Sequence, residues 1–118
     1  MVIKTYLTRL FTLLIMLCAM PTIAIEVNEQ VINRSQWPQY VNGSSVSALP
    51  QVQRILQQFE ETDQFSIIIQ YPGGDNGITW GRQMYQWFVG YGVPGKYLKM
   101  ELGSGAPDQL RLMLINKN

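Results

Sequence analysis

The chain has 118 residues, with nine Lys and Arg against eight Asp and Glu, no histidine and one cysteine. A chain without histidine cannot form an imidazole-based catalytic triad, and it cannot form a zinc site of the Cys and His type. The near-neutral charge excludes a polybasic nucleic-acid binder, because neutralising several phosphates requires a cluster of Lys and Arg side chains. One cysteine also excludes a disulfide framework.

The first 24 residues have the order of an export signal. Lys4 and Arg9 precede an apolar run over residues 10–20. Pro21 then breaks this run, and Ala24 is a small residue suited to a cleavage site. That run is shorter than the roughly 20 residues of a membrane-spanning helix, which favours a cleaved signal over a retained anchor. We therefore expect cleavage after Ala24 and a periplasmic protein. Its 94 residues would carry seven basic and eight acidic side chains, no cysteine and no histidine.

The first part of this remainder is predicted to be an extended arm over residues 25–39, ahead of a domain at residues 40–118. The arm shows no apolar period of two or of 3.6 residues. Residues 37–47 contain Pro38 and the run Asn42-Gly43-Ser44-Ser45, which predicts an extended stretch that closes in a turn.

Two helices are predicted from apolar residues at spacings of three and four. The first covers residues 50–61, with Pro50 in its first turn and Ser47 as a candidate cap. The second ends at Gly92. Its apolar stripe consists of Trp80, Met84, Trp87, Phe88 and Tyr91.

Three strands are predicted between and after these helices. Residues 65–71 form a β-branched and aromatic run, which is typical of a buried central strand. Residues 97–102 and 110–115 alternate apolar side chains with other residues. The order extended-α-β-α-β-β predicts an α+β two-layer sandwich, with two helices packed on one face of a small mixed sheet.

This order, together with several short motifs, resembles the OmpA-like domain of bacterial envelope proteins over about residues 40–115. The motifs are the Asn42-Gly43-Ser44-Ser45 run before the first helix, the strand that leads into a glycine and aspartate turn, the helix that ends in Gly92-Val93-Pro94, and the loop Gly103-Ser104-Gly105-Ala106-Pro107. Membership would imply binding of the diaminopimelate carboxylates of peptidoglycan through a turn aspartate and a helix arginine.

Two positions decide how this implied site maps onto the chain. Asp75 matches the turn aspartate, whereas counting back from the helix end places the family arginine at Trp80. The nearest basic residue is Arg82, about 200° further around a helix. The predicted ligand-binding residues are therefore Asp75, Arg82, Gly73, Gly74 and Tyr71. The alternative reading is that Asp75 or Asn76 caps the helix, the glycines make the turn and Arg82 is surface charge.

These observations predict a non-enzymatic binding or assembly subunit of the bacterial envelope, with peptidoglycan or another envelope protein as its partner. No catalytic residue, metal, cofactor or nucleic-acid partner is expected, and no membrane-spanning segment after removal of the leader. One alternative is a small periplasmic hydrolase that uses Asp75 with a second carboxylate, Glu101 or Asp108. A second alternative is a structural oligomer whose sheet edge pairs with a partner strand.

Overall fold

The computed structural model describes residues 25–117, so the predicted leader at residues 1–24 lies outside the described residues. Four strands form one sheet in the order β1-β4-β2-β3: β1 (Ile25–Asn33), β2 (Phe65–Tyr71), β3 (Leu98–Leu102) and β4 (Gln109–Asn116). Strands β2 and β3 are parallel, and the other two neighbouring pairs are antiparallel. The helices are α1 (Gly43–Ser47), α2 (Pro50–Gln58) and α3 (Asp75–Gly90).

The core lies between the helices and one face of the sheet. Helix α2 contacts β1 and β4, whereas α3 contacts β2 and β3. The sheet face below them is fully buried at Ile32, Ile67, Ile69, Leu110, Leu112 and Leu114, and the helices add Val52, Ile55, Trp80, Met84 and Phe88. This packing confirms the predicted α+β fold with a mixed sheet. Among residues 25–117, no helix has the length and apolar content needed to span a membrane.

The segment predicted as an extended arm contains the edge strand β1. It pairs with β4 from Ile25 opposite Asn116 to Asn33 opposite Gln109. A bulge between Glu26 and Asn28 interrupts the pairing. Because a bulge adds one residue to one strand and breaks the alternation of its side chains, the sequence of β1 lacks a clear period of two.

Helix α1 lies where the sequence predicts an extended stretch, so that prediction is wrong for residues 43–47. The cause is a reciprocal cap at Asn42. Its Oδ1 accepts the Ser45 backbone N–H at 2.8 Å, and its own backbone N–H donates to Ser45 Oγ at 2.9 Å. Ser47, predicted to cap the next helix, is instead the last residue of α1, and Leu49 precedes α2 without a side-chain cap.

We expect Asn42→Ala to lower the free energy of unfolding by about 1 kcal/mol, because the first turn of α1 loses the acceptor for one of its amides. Urea unfolding followed by circular dichroism measures this change. Ser44→Ala is the matched control, since Ser44 is exposed in the same helix and its side chain makes no hydrogen bond with residues 25–117. Equal unfolding midpoints for the two variants would contradict the prediction.

Candidate functional site

Helix α3 begins after a three-residue connection, residues 72–74, from the end of β2. Gly74, the residue before the helix, has a φ of 88°, a conformation that glycine adopts at little cost. Asp75 is therefore the first residue of α3, one turn before the apolar stripe that the sequence shows. The N-terminus of α3, with its unpaired backbone amides and its positive dipole end, consequently lies at the carboxyl end of β2.

A cavity of about 380 Å³ lies beside this helix start. One wall comes from one flank of α3, through Asn76, Thr79, Trp80 and Gln83, whose spacings of three and four place them on successive turns. Other lining residues are Arg34, just after β1, and Asp108, just before β4. Two segments that are distant in sequence thus complete a polar cavity against the helix.

The guanidinium of Arg34 is held against the indole of Trp80. Its Cζ lies 3.9 Å from the centre of the Trp80 ring, within the range of a cation–π contact. The backbone of Arg34 is fixed as well, because its N–H donates to the carbonyl of Asp108 at 2.8 Å. Among residues 25–117, no carboxylate lies within ion-pair distance of this guanidinium. An exposed cation with a defined position is therefore free to bind an anion.

Trp80 links this cation to the core. Its side chain is only 1% exposed, and its ring packs edge-to-face on Trp37 with the centroids 5.7 Å apart. The indole Nε1 is buried and has no hydrogen-bond partner within residues 25–117, although buried indole N–H groups usually have one. The cavity thus combines a guanidinium, the Asp108 carboxylate and two side-chain amides, with an unpartnered indole N–H on a wall residue.

The predicted site residues are distributed around this cavity rather than gathered in it. Gly73 lines the cavity, and Gly74 sets the start of α3. Asp75 and Arg82 are both exposed, and their spacing of seven residues places them on one outer face of α3, about 10 Å apart along the helix axis. Neither of them lines the cavity.

Tyr71, one of the predicted ligand-binding residues, is half-buried at the end of β2 and packs against the core. Its Cβ lies 2.9 Å from the position that a Cβ on Gly81 would occupy, so this end of β2 passes close beneath α3. The absence of a side chain at Gly81 permits that approach.

The carboxylates considered for hydrolysis belong to three different segments of the fold. Asp108 lines the cavity, whereas Asp75 is on the exposed face of α3 and Glu101 belongs to β3. Within residues 25–117, no group of three or more acidic side chains is close enough to hold a metal ion.

Comparison with protein-family models, curated proteins and solved structures finds no match for this chain. The geometry of the cavity therefore carries the functional argument.

Sequence reasoning missed most residues of the cavity. Asn76, Thr79 and Gln83 could have been found once the helix start was placed at Asp75, because they share the flank of α3 that carries Trp80. Arg34 gave no such signal. It lies in a polar segment without periodicity, and only the pairing of β1 with β4 brings it beside Asp108 and Trp80.

Proposed function

We propose that this protein is a non-enzymatic binding protein of the bacterial envelope, and that its cavity binds the free amino-acid end of a peptidoglycan stem peptide. The observation that carries the proposal is the Arg34 guanidinium, stacked on Trp80 in the cavity and without a carboxylate partner among residues 25–117. The predicted export signal would place the protein in the compartment that contains this ligand.

The charges that line the cavity suit a ligand that carries a carboxylate and an ammonium group. A guanidinium binds a carboxylate through paired N–H donors, and the nearby N-terminus of α3 favours the same sign of ligand charge. The carboxylate of Asp108, which also lines the cavity, would accept hydrogen bonds from the ammonium group. Asn76 and Gln83 would provide neutral donors and acceptors from the α3 wall.

The resemblance to the OmpA-like domain supports this proposal in a specific way. Trp80 stands where that family has its ligand-binding arginine, which puts carboxylate binding in doubt if α3 is considered alone. The fold brings the guanidinium of Arg34 onto the same residue from the segment after β1. We infer that Arg34 supplies the cation that the helix lacks, and that the family ligand is retained with a different arginine.

Arg34→Gln should lower retention of the purified protein by insoluble peptidoglycan about tenfold or more, because a charge-assisted hydrogen bond contributes about 1.5–3 kcal/mol. Co-sedimentation at low salt measures retention. Arg82→Gln is the matched control, since it removes the same charge from an exposed position of α3 outside the cavity. This control variant should be retained like the native protein.

The other outcomes of this experiment are equally informative. Native protein that peptidoglycan does not retain at low salt would overturn the proposed ligand. Retention that is lost in Asp75→Asn and Arg82→Gln, but kept in Arg34→Gln, would place the site on the outer face of α3. Circular dichroism of each variant separates a loss of binding from a loss of folding.

A further inference from the structure

Within residues 25–117, helices α2 and α3 pack on one face of the sheet only. On the opposite face the central side chain Ile68 is 7% exposed, and its neighbours on β4 are more exposed. Strand β4 shows the two faces most clearly, because Leu110, Leu112 and Leu114 are fully buried below the helices. The residues between them point to the other face. There Arg111, Met113 and Ile115 are only half-buried. We call this surface the open face.

The strand register arranges the side chains of the open face in rows across the four strands. One row runs Glu29, Met113, Ile68 and Lys99 from β1 to β3. It has an acid at one end, a base at the other end and two apolar side chains between them. The next row runs Val31, Arg111, Gln70 and Glu101.

We propose that two copies of this chain associate through the open face, about a two-fold axis that runs parallel to the strands between β4 and β2. This axis turns one sheet over onto the other, so that β1 lies above β3 of the second copy and β4 lies above its β2. Lys99 then faces Glu29 of the partner subunit, and Ile68 faces Met113 of the partner subunit. The row is complementary to itself in charge and in polarity.

The spacing of packed sheets allows these contacts. Two sheets that pack face to face lie about 10 Å apart, with their strands within about 30° of each other. Long side chains such as Lys99 and Glu29 can meet across that distance, and the apolar centre of the row fills the space between the sheets.

Glu29 also forms an ion pair within its own subunit, because Arg111 Nε lies 2.9 Å from Glu29 Oε1. In the proposed dimer the Glu29 carboxylate is therefore shared between Arg111 and Lys99 of the partner subunit.

The outer edge of β1 adds to the complementarity. Glu26 lies close enough to Glu29 that a side-chain hydrogen bond between them raises the pKa of Glu26. Acidic groups are thus concentrated at the edge that meets Lys99 of the second copy. None of the open-face residues lines the cavity, so this proposal is independent of the proposed ligand.

A charge-swap experiment tests the interface. We expect protein recovered from cells that express the full chain to show a concentration-dependent monomer–dimer equilibrium in analytical ultracentrifugation. Lys99→Glu and Glu29→Lys should each weaken the dimer about tenfold or more, because each variant brings like charges together. The double variant should restore part of the affinity, since it recreates the pair with its signs exchanged but leaves Arg111 without the Glu29 carboxylate.

Arg82→Glu is the matched control, because it makes the same charge reversal on the outer face of α3. Met113→Lys places a charge in the apolar centre of the row and should abolish the dimer while the circular dichroism spectrum stays native. A protein that remains monomeric at all concentrations would overturn the proposal. A dimer that is insensitive to Lys99→Glu and Met113→Lys would also overturn it and would assign the contact to another surface, such as a strand edge.

Discussion

Replacing Trp80 with alanine is expected to lower the free energy of unfolding by about 3–5 kcal/mol. The indole is 1% exposed and packs on Trp37, so its removal leaves a large void between α3 and the segment that follows β1. It also removes the surface on which the Arg34 guanidinium lies. In a domain of this size the melting temperature should fall by on the order of 20 °C.

Thermal and urea unfolding of three variants tests this expectation. Trp87→Ala is the control, because Trp87 lies on the same helix but is only half-buried, stacked on Tyr91. Trp87→Ala should lower the free energy of unfolding by clearly less than Trp80→Ala does. Trp80→Phe should recover part of the loss, since a smaller ring still fills the site and the indole N–H has no partner to lose among residues 25–117. Equal losses for Trp80→Ala and Trp87→Ala would contradict the assignment.

The core position of Trp80 could be predicted because periodicity is a local signal. The same holds for Met84 and Phe88 on the helix, and for the alternating leucines of the last strand, all of which are buried as expected. These positions depend only on the repeat of a helix or a strand and on which side meets the other layer. The two-layer α+β fold follows from the same pattern.

The place of Arg34 in the cavity could not be predicted because it depends on contacts between distant segments. The sequence of β1 lacks the apolar–polar alternation of a strand, because the strand has a bulge and carries polar residues on both faces. Without β1 paired to β4, nothing places Arg34 beside Asp108 or over Trp80. The cavity therefore lies at the flank of α3 that carries Trp80, and not on the outer face that carries Asp75 and Arg82.

The glycine-rich segment 73–77 shows a subtler limit of sequence reasoning. Glycines in a turn commonly adopt positive φ angles, yet among the three glycines of this segment only Gly74 adopts one. Gly77 lies inside α3 with a helical backbone that any residue could adopt. Glycine is required at this position for a steric reason, because this turn of the helix packs closely against the backbone of Pro72.

Gly77→Ala is accordingly expected to lower the free energy of unfolding by about 2–3 kcal/mol, even though alanine is favoured over glycine inside a helix by about 1 kcal/mol. An added Cβ would lie 1.9 Å from the Pro72 carbonyl oxygen and 2.6 Å from its carbonyl carbon. Backbone atoms cannot rotate away as a side chain can, so the loop or the helix start must shift. Urea unfolding measures the loss.

Gly90→Ala is the control that separates the two effects. Gly90 is in the same helix, and an added Cβ there would meet nothing within 4 Å, so helix propensity acts alone and stability should be unchanged or slightly higher. Because Gly77 also lines the cavity, the shift in Gly77→Ala should reduce retention by peptidoglycan, whereas Gly90→Ala should not. If Gly77→Ala were as stable as Gly90→Ala, the close packing of α3 on Pro72 would be refuted.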